Sequence, residues 1–445
     1  MRRRLLLCLA ATALTDPAAA QPQPAPRPPA APADRPVNSQ AVVAEVRRII
    51  AERYVLPERR PALDAVLAEG LSAGRYNVAD AAALAQRINA DLARVGRDRH
   101  LNFNYDPRQA ERLAAPSGPP VPGSASAFER RARAANHGIS ELRVLPGNVR
   151  YMAYDGFMWI GPETGAALDT AMQFLSGGDA VIIDLRRNGG GSPEAVQYVV
   201  SHFLPPDRPL VTFHMNGEAS PERLASLREL RAPRMVGKPL YVLTSSGTAS
   251  AAEEFAGHVG GYRIGELVGA TTAGAGFRND LVSIPGGFVL SVSVGRAVLA
   301  STGKDWEAVG LAPTVATPIE SALDAAHAHA LRRQLSSLQG PERADLEAVA
   351  EGIEARSRPN APAAPLAAYA GTYGERSVFL EDGKLWYRLA ARPKRSLVSL
   401  GGHRFTFGDD PSQRILFHPA GDRIAAFEIG PATGAAQGRY DRTGG

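Results

Sequence analysis

The stretch LTSSGTASAAEEFAGHV, residues 243–259, joins an apolar run to an alanine-rich helical pattern. Ser250 stands at the junction, and Glu253 follows three residues later, which is the capping-box pattern of a helix N-terminus. The free backbone N–H groups and the positive dipole end of such a helix would also hold an oxyanion. Taken alone, the stretch predicts a strand-to-helix junction whose serine is either a helix cap or a nucleophile.

The composition is that of a globular protein with two or three domains. The chain has 445 residues, of which 44% are hydrophobic, and a formal net charge of +5. Removal of the first 20 residues would lower this charge to +3, because Arg2, Arg3, Arg4 and Asp16 leave with them. A charge this small and scattered predicts no nucleic-acid partner and no binding to an anionic membrane.

The first residues, MRRRLLLCLAATALTDPAAAQ, have the layout of a secretory signal. Three arginines precede an apolar run over residues 5–14, and small residues follow at 18–20. We therefore expect a signal peptide over residues 1–20 and a periplasmic or secreted mature protein. This run is too short to remain as a membrane span, and no later apolar run is long enough. The single cysteine, Cys8, lies in this segment, so the mature chain would have no disulfide and no thiol chemistry.

Composition and periodicity divide the rest of the chain. Residues 21–37 are rich in Pro and Ala and are predicted to be a flexible tether. Apolar residues recur at spacings of three and four over 38–107, which predicts a helical domain, and short apolar runs alternate with helical patterns over 125–340, which predicts an α/β unit with a largely parallel sheet. A helix and a second Pro/Ala-rich linker follow over 341–366. Residues 367–445 alternate apolar and polar side chains between Asp-Gly and Gly-Asp turns, which predicts a small all-β domain.

A glycine run follows the predicted strand VIID. In DLRRNGGG, residues 184–191, three successive glycines would let a backbone N–H approach another group closely. The run is either a plain strand-to-helix turn or half of an oxyanion hole, with the amide of Ala251 as the other half. No lysine follows the glycines, which argues against a phosphate-binding P-loop.

A histidine and a glutamate elsewhere in the chain could complete a serine-activating relay. Serine is a poor nucleophile unless a neighbour takes its proton, and His100 in DRHL is a possible base, although a lone histidine is often structural. Glu307 in DWEAVG is either an ordinary surface group or the partner that sets the tautomer of the histidine. His327 and His329 do not share a helix face, so they predict no metal site.

Several linked motifs resemble one peptidase superfamily. VIIDLRRNGGG, YVLTSSGTASAAEEFAGHV, ELVGATTAGAG and STGKDWEAVGLAPTV stand in the order and spacing of the carboxyl-terminal processing (tail-specific) serine peptidases. VVAEVRRIIAERYVLPERR and GRDRHL look more specifically like the branch related to interphotoreceptor retinoid-binding protein and the tricorn core, and the likeness covers roughly residues 40–318. The resemblance implies an α/β crotonase-like (ββα) peptidase core, placed between the N-terminal helical domain and the C-terminal all-β domain.

The resemblance also implies roles for individual residues. Ser250 matches the nucleophile, His100 its base and Glu307 the acid that supports the histidine. The amides of Gly190 and Ala251 match the two oxyanion donors. No metal or cofactor is required, and the implied substrates are unfolded or C-terminal peptide segments and short peptides.

Two positions depart from the family pattern. The Ser/Lys branch has a lysine in the loop where this chain has Ala275, so that dyad is absent. Tricorn has a serine just before its histidine, bridging to the glutamate, and this chain has Arg99 there. Within the glycine run, Gly189 is the second choice as an oxyanion donor. Retinoid-binding relatives carry apolar ligands on the same fold, so the alternative function is a non-catalytic binder of apolar ligands or peptides.

Overall fold

The structure is a computed structural model that describes residues 37–115 and 126–443. The predicted signal peptide, residues 1–20, and all of the predicted tether except Val37 lie outside the described residues. From Asn38 onward the described residues form one compact unit. Within these ranges, no helix is both long enough and apolar enough to cross a bilayer.

The N-terminal segment is helical, as its apolar spacing predicts. Its elements are α1 Ser39–Arg53, α2 Arg60–Ser72, α3 Ala81–Gly96, β1 Asn102–Tyr105, α4 Pro107–Ala114 and α5 Ala127–Ala134. Asn38 and Asp80 cap α1 and α3, since their side chains accept hydrogen bonds from the first-turn amides of Ala41 and Ala83. Strand β1 packs on α3, where the Asn89 side chain accepts the Phe103 amide at 2.7 Å and donates to the Phe103 carbonyl at 2.6 Å.

The central segment alternates strands and helices, as its sequence pattern predicts. In chain order its elements are β2 Ile139–Leu145, β3 Val149–Tyr154, α6 Pro162–Ser176, β4 Ala180–Asp184, α7 Pro193–Ser201, β5 Pro209–Met215, β6 Glu222–Ala225, β7 Leu240–Thr244, α8 Ala251–Gly261, β8 Glu266–Gly269, β9 Phe277–Ile284, β10 Phe288–Leu299, β11 Val315–Ala316, α9 Ala322–Leu335 and α10 Gly340–Ser357. One sheet has the strand order β11-β8-β7-β4-β3-β2, in which every strand except β2 is parallel to its neighbours. The largely parallel sheet is therefore confirmed.

Helices cover both faces of this sheet. On β4, Val181 and Ile183 pack into the core formed with α6, α7 and α8, whereas Ile182 packs into the core formed with α9 and α10. Burial on both faces explains why the strand is a continuous apolar run. Because β4 and β7 are parallel neighbours, with Asp184 opposite Leu243, the turns that follow them lie at the same edge of the sheet.

A second, antiparallel sheet has the order β1-β10-β5-β6, with β9 also paired to β10. The N-terminal segment contributes β1, which places Asn102 opposite Ser291. Strand β10 carries two serines that are not exposed: Ser291 and Ser293 are 3% and 0% exposed. The reason is that β10 is the central strand of this sheet and also contacts α1.

The C-terminal segment is an antiparallel sheet, which confirms the predicted all-β segment. Its strands are β12 Asn360–Pro362, β13 Gly371–Tyr373, β14 Arg376–Glu381, β15 Lys384–Leu389, β16 Arg395–Gly402, β17 Arg404–Phe407, β18 Gln413–Ala420, β19 Arg423–Pro431 and β20 Gly438–Asp441. Strands β13 to β20 pair in chain order, and β12 adds to β16 in parallel. Buried aromatic side chains, including Phe405, Phe417 and Phe427, fill its core.

Candidate active site

Ser250 lies where the chain leaves β7 and enters α8. Its backbone has φ 55° and ψ −123°, a region that a non-glycine residue adopts only with strain of about 1–3 kcal/mol. The turn before Ser250 is held against the end of β4, because Thr248 Oγ1 donates a hydrogen bond to the Leu185 carbonyl at 2.8 Å. The Ala249 amide donates to the Asn188 carbonyl at 3.1 Å. The neighbouring turn therefore holds the serine in a conformation that is typical of nucleophilic serines on sharp strand-to-helix turns.

The glycine run after β4 packs directly against this serine. Gly190 has φ 109°, and a Cβ built on it would lie 2.7 Å from the Ser250 Cβ and 3.0 Å from the Ala251 nitrogen. Only glycine fits so close a contact in this backbone conformation. The structure thus brings together the two segments that the sequence analysis singled out.

The backbone amides near Ser250 differ in whether they are free to donate. Among the described residues, nothing accepts a hydrogen bond from the Ala251 amide at the start of α8. The Gly190 amide, which the resemblance assigns to the oxyanion hole, donates to Asn188 Oδ1 at 2.9 Å. The Gly189 amide, the second choice, has no partner within the described ranges.

His100 reaches the same region because β1 is paired with β10. Between α3 and β1, Asp98 Oδ1 accepts the amides of His100 and Leu101, at 2.8 and 3.2 Å, which fixes the turn. The Ser291 hydroxyl, on β10, donates to the His100 carbonyl. The backbone that carries the imidazole is therefore held both by its own turn and by the sheet.

The His100 ring meets two carboxylates. One ring nitrogen and one oxygen each of Asp98 and Glu307 lie within 4.8 Å of one another. His100 Nδ1, Asp98 Oδ2, Glu307 Oε1 and the Tyr54 hydroxyl are buried and have no hydrogen-bond partner. Burial lowers the pKa of His100, and the negative charges of Asp98 and Glu253 oppose this effect. The imidazole is therefore favoured in its neutral form, which is the form that can accept a proton.

Glu307 is oriented by the backbone rather than exposed to solvent as an ordinary surface group. Its Oε2 accepts the amides of Gly276 and Phe277 at 2.6 and 3.0 Å. Burial, and after it the charge of Asp98, raises the pKa of Glu307 to about 7, although the two amides act in the opposite direction. A carboxyl group with this pKa can carry or release a proton near neutral pH.

The imidazole and the serine are in the same region but are not hydrogen-bonded to each other. No hydrogen bond joins the His100 ring to the Ser250 hydroxyl. Catalytic hydrogen bonds are often long before substrate binds and shorten in the complex. Glu253 links the two groups electrostatically, since its charge acts on His100 and its carboxylate accepts the Ser250 amide.

Glu253 has a wider structural role than the helix cap that its spacing indicates. Its side chain is fully buried, and its carboxylate accepts hydrogen bonds from Thr272 Oγ1 (2.6 Å), Gly274 N (2.7 Å), Ala275 N (2.8 Å) and Ser250 N (3.0 Å). A carboxylate with four donors is held in one orientation, so Glu253 fixes Ser250 relative to this loop. The capping-box pattern signals only the bond to Ser250, because the three loop contacts depend on tertiary structure.

A cavity of about 240 Å³ opens beside Ser250. Its apolar walls include Phe213, Phe277 and Trp306. Glu254 also lines it, with Oε1 buried and without a hydrogen-bond partner. Ala275 occupies the wall where the Ser/Lys branch has its lysine, and none of the described lining residues is a lysine. The cavity is smaller than typical drug or cofactor pockets of roughly 300–1,000 Å³, so its size suits a side chain of a peptide.

Asp98, His100 and Glu307 are also the described residues whose donor atoms lie close enough together to hold a metal ion. Carboxylate and imidazole groups are suitable zinc ligands. His327 and His329 hydrogen-bond to different partners, a backbone carbonyl and a carboxylate, and do not form a common site.

Two family models match the chain. Residues 148–317 match Peptidase family S41, and residues 37–134 match the N-terminal domain of Peptidase S41 in eukaryotic IRBP. The first range contains the glycine run and Ser250, and the second contains His100. Together the two ranges cover more than half of the chain.

Several curated proteins are similar over part of their length. The carboxyl-terminal-processing peptidase 3, chloroplastic, of Arabidopsis thaliana is 34% identical over 137 residues, 30% of this chain and 25% of that protein. The carboxyl-terminal-processing protease of Synechocystis sp. is 32% identical over 120 residues, 27% of each chain. The chain thus spans about a quarter to a third of the length of the curated relatives it matches.

Solved structures are similar at lower identity. A putative peptidase from Parabacteroides merdae is 18% identical with a TM-score of 0.49, covering 68% of this chain and 99% of that chain. The D1 C-terminal processing protease of photosystem II is 19% identical with a TM-score of 0.41, covering 64% of this chain and 94% of that chain. On the two family matches, the chain belongs to peptidase family S41, which confirms the resemblance drawn from its motifs.

Proposed function

We propose that the protein is a serine endopeptidase that hydrolyses peptide bonds in unfolded or C-terminal peptide segments. Ser250 Oγ attacks the carbonyl carbon, His100 takes the hydroxyl proton and returns it to the leaving amine, and water then releases the acyl group from Ser250. The proposal rests on the backbone of Ser250, which is strained at φ 55° and lies in close contact with Gly190. The Ala251 amide next to it has no hydrogen-bond partner among the described residues.

The developing oxyanion would be held by backbone amides. We assign the first donor to Ala251, whose N–H is free at the start of α8. The second donor lies in the glycine run, where Gly190 must exchange its bond to Asn188, whereas Gly189 can donate without exchange. Each such donor lowers the barrier by about 3 kcal/mol in related acyl-transfer enzymes.

The proton acceptor in this mechanism is His100, supported by Glu307. His100 Nδ1 is buried without a partner, and we assign it to the carboxylate side of the ring, which leaves Nε2 to accept the serine proton. A carboxylate next to Nδ1 fixes the tautomer and stabilises the imidazolium formed during attack. The His100 ring must approach Ser250 when substrate binds, because no hydrogen bond joins them beforehand.

The cavity beside Ser250 is the site at which we place a substrate side chain. Apolar walls and an opening next to the nucleophile support an extended peptide with one side chain inserted. The names of the relatives, carboxyl-terminal processing proteases, support peptide tails as the substrate class.

Two further assignments belong to this proposal. The arginine-led apolar run over residues 5–14 supports export to the periplasm or the exterior. The strand–turn–helix units β4–α7 and β7–α8, with the glycine run and Ser250 at their turns, support a crotonase-like ββα core.

An active-site fluorophosphonate tests the proposal on the full-length protein. We expect rapid labelling of the wild-type chain, no labelling of Ser250→Ala, and normal labelling of Ser246→Ala, which removes an exposed serine from the same turn. Hydrolysis of an unfolded fluorescent protein substrate should follow the same order. A folded wild-type chain that neither labels nor hydrolyses would instead indicate a non-catalytic binder of apolar ligands or peptides.

A further inference from the structure

Asp98 lies beside the imidazole, although it is not one of the three residues assigned to the catalytic relay. Its side chain is buried, with the residue 8% exposed. Oδ1 is occupied by the amides of His100 and Leu101, while Oδ2 is buried without a partner. A turn of this kind needs only one oxygen, so the burial of the second carboxylate oxygen is not explained by the turn.

The surroundings of this second oxygen are polar on several sides. Glu307 Oε1 and His100 Nδ1 are also buried and unpartnered, and one donor atom from each of these three residues lies within 4.8 Å of the others. The Tyr54 hydroxyl is buried and unpartnered as well, with the residue 0% exposed. Buried polar atoms in native proteins are nearly always hydrogen-bonded, so four unpartnered atoms in one cluster indicate a network that closes when the groups move or exchange protons.

We infer that Asp98 is a second positioning acid for the His100 base: Asp98 Oδ2 and Glu307 Oε1 share one proton next to Nδ1, and the Tyr54 hydroxyl donates into this pair. The inference rests on the proposed function, because it adds a residue to the same relay. It also accounts for Arg99, which stands where tricorn has a serine that bridges the histidine to the glutamate. Arg99 is exposed, whereas Asp98 and Tyr54 are buried, so these two residues take the place of the bridging serine.

The chemistry of the pair follows from its charge. Burial, and after it the charge of Asp98, raises the pKa of Glu307 to about 7, so Glu307 can hold a proton near neutral pH and share it across the pair. When His100 Nε2 takes the proton of Ser250, the Nδ1 hydrogen points to the anionic oxygen of the pair. The shared proton stays between the carboxylates, and the imidazolium is balanced by a charge that was already in place.

The charged and titratable groups around the His100 ring predict how the pKa values of His100 and Glu307 should change when Asp98 is replaced. Asp98 and Glu253 both raise the pKa of His100, and Asp98 also raises that of Glu307. Tyr54, with its own pKa raised by burial and then by Asp98, completes the set. Removal of the Asp98 charge should therefore lower the pKa of His100 and of Glu307 together. Asp106, which caps α4 and is not among the groups that act on His100 or Glu307, should shift neither when it is neutralised.

Asp98→Asn is the matched test, because the amide oxygen can still accept the two turn amides while the charge is lost. We expect kcat/KM to fall about 10- to 100-fold and the acidic limb of its pH profile to move to lower pH. In the double variant Asp98→Asn/Glu307→Gln, the fold-decrease in kcat/KM should exceed the product of the fold-decreases in the two single variants. It should approach the roughly 10⁴-fold loss known for a triad that lacks its carboxylate. Asp106→Asn is the control, since Asp106 makes the same kind of cap at α4, accepting the Gln109 amide at 2.9 Å.

A second measurement does not depend on hydrolysis. In Ser250→Ala protein, the His100 ring resonances, assigned with His100→Ala, should titrate at lower pH when Asp98 becomes Asn. Asp98→Ser, whose hydroxyl can also hold the turn, should give the same shift if the Asn variant does not fold. Wild-type kcat/KM, an unmoved acidic limb and an unmoved His100 titration in folded Asp98→Asn would overturn the inference. An inactive wild-type enzyme with a shifted titration would count against the proposed function alone.

Discussion

Replacement of Gly190 by alanine is predicted to disable the site without abolishing the fold. The new Cβ would lie 2.7 Å from the Ser250 Cβ, 2.9 Å from the Ala249 carbonyl oxygen and 3.0 Å from the Ala251 nitrogen. Strain at φ 109° contributes about 1–3 kcal/mol, and overpacking typically adds about 1–3 kcal/mol. We therefore expect the free energy of unfolding to fall by about 2–6 kcal/mol, within the roughly 5–15 kcal/mol of a typical domain.

The effect on chemistry should exceed the effect on folding. All three contacts are with the backbone or the Cβ of the nucleophile turn, so relief of the clash must move Ser250 itself. A displacement of about 1 Å costs on the order of 100-fold in rate, and we expect at least this loss in the rate of fluorophosphonate labelling.

Gly189→Ala is the matched control for this prediction. A Cβ at that position would meet nothing within 4 Å, and its backbone does not have a positive φ. We expect its unfolding free energy, from urea titration, to stay within about 1 kcal/mol of wild type, with labelling within a few-fold. If Gly190→Ala and Gly189→Ala had equal urea-unfolding midpoints and equal rates of fluorophosphonate labelling, the argument that the glycine run positions Ser250 would be refuted.

Three further perturbations test other parts of the site. Glu253→Gln should lower the free energy of unfolding, measured by urea titration, by about 2–6 kcal/mol. The glutamine NH₂ group would replace one carboxylate oxygen and leave two buried donors without an acceptor. The control Glu52→Gln, at an exposed position, should change the free energy of unfolding little. The contribution of Glu307 to the free energy of unfolding should decrease as pH rises from 4.5 to about 7, because folded Glu307, with its pKa raised by burial, retains a proton that the unfolded chain releases. Three histidines whose pKa values are lowered by burial, His100, His202 and His327, act in the opposite direction. The difference in unfolding free energy between wild type and Glu307→Gln, measured at pH 4.5 and 8, isolates the contribution of Glu307. Dialysis against EDTA should leave the labelling rate unchanged, whereas a loss restored by Zn²⁺ would make Asp98, His100 and Glu307 a metal site.

The sequence predicted the contact between the glycine run and Ser250 because each lies at the end of a continuous apolar strand. Two such strands that are parallel neighbours place their carboxyl ends at one edge, so little information beyond the local pattern is needed. The occupied state of the Gly190 amide was not predictable in the same way. It depends on the rotamer of Asn188, whose side chain folds back onto the turn.

Contacts between distant segments explain what the sequence did not predict. Glu253 was identified through its spacing from Ser250, but its bonds to Thr272, Gly274 and Ala275 require the loop after β8 to fold over α8. Tyr54 acts on Asp98 from the end of α1, and although both residues lie within the quoted motifs, the motifs do not indicate that the two side chains meet. Periodicity reports which face of an element is buried, whereas it carries no information on which buried polar groups meet.

The N-terminal segment is structurally part of the candidate active site rather than an independent module beside it. His100 is carried by the turn before β1, and β1 is a strand of the same sheet as β10. Additional contacts fix this arrangement, since the Val55 amide donates to the Ser293 carbonyl at 2.8 Å and Arg53 forms an ion pair with Asp280. The proposed nucleophile and the proposed base therefore come from segments about 150 residues apart, and the pairing of β1 with β10 holds the segment that carries His100 in place. Any change that detaches β1 from β10 should remove the base while leaving Ser250 and the glycine run in place.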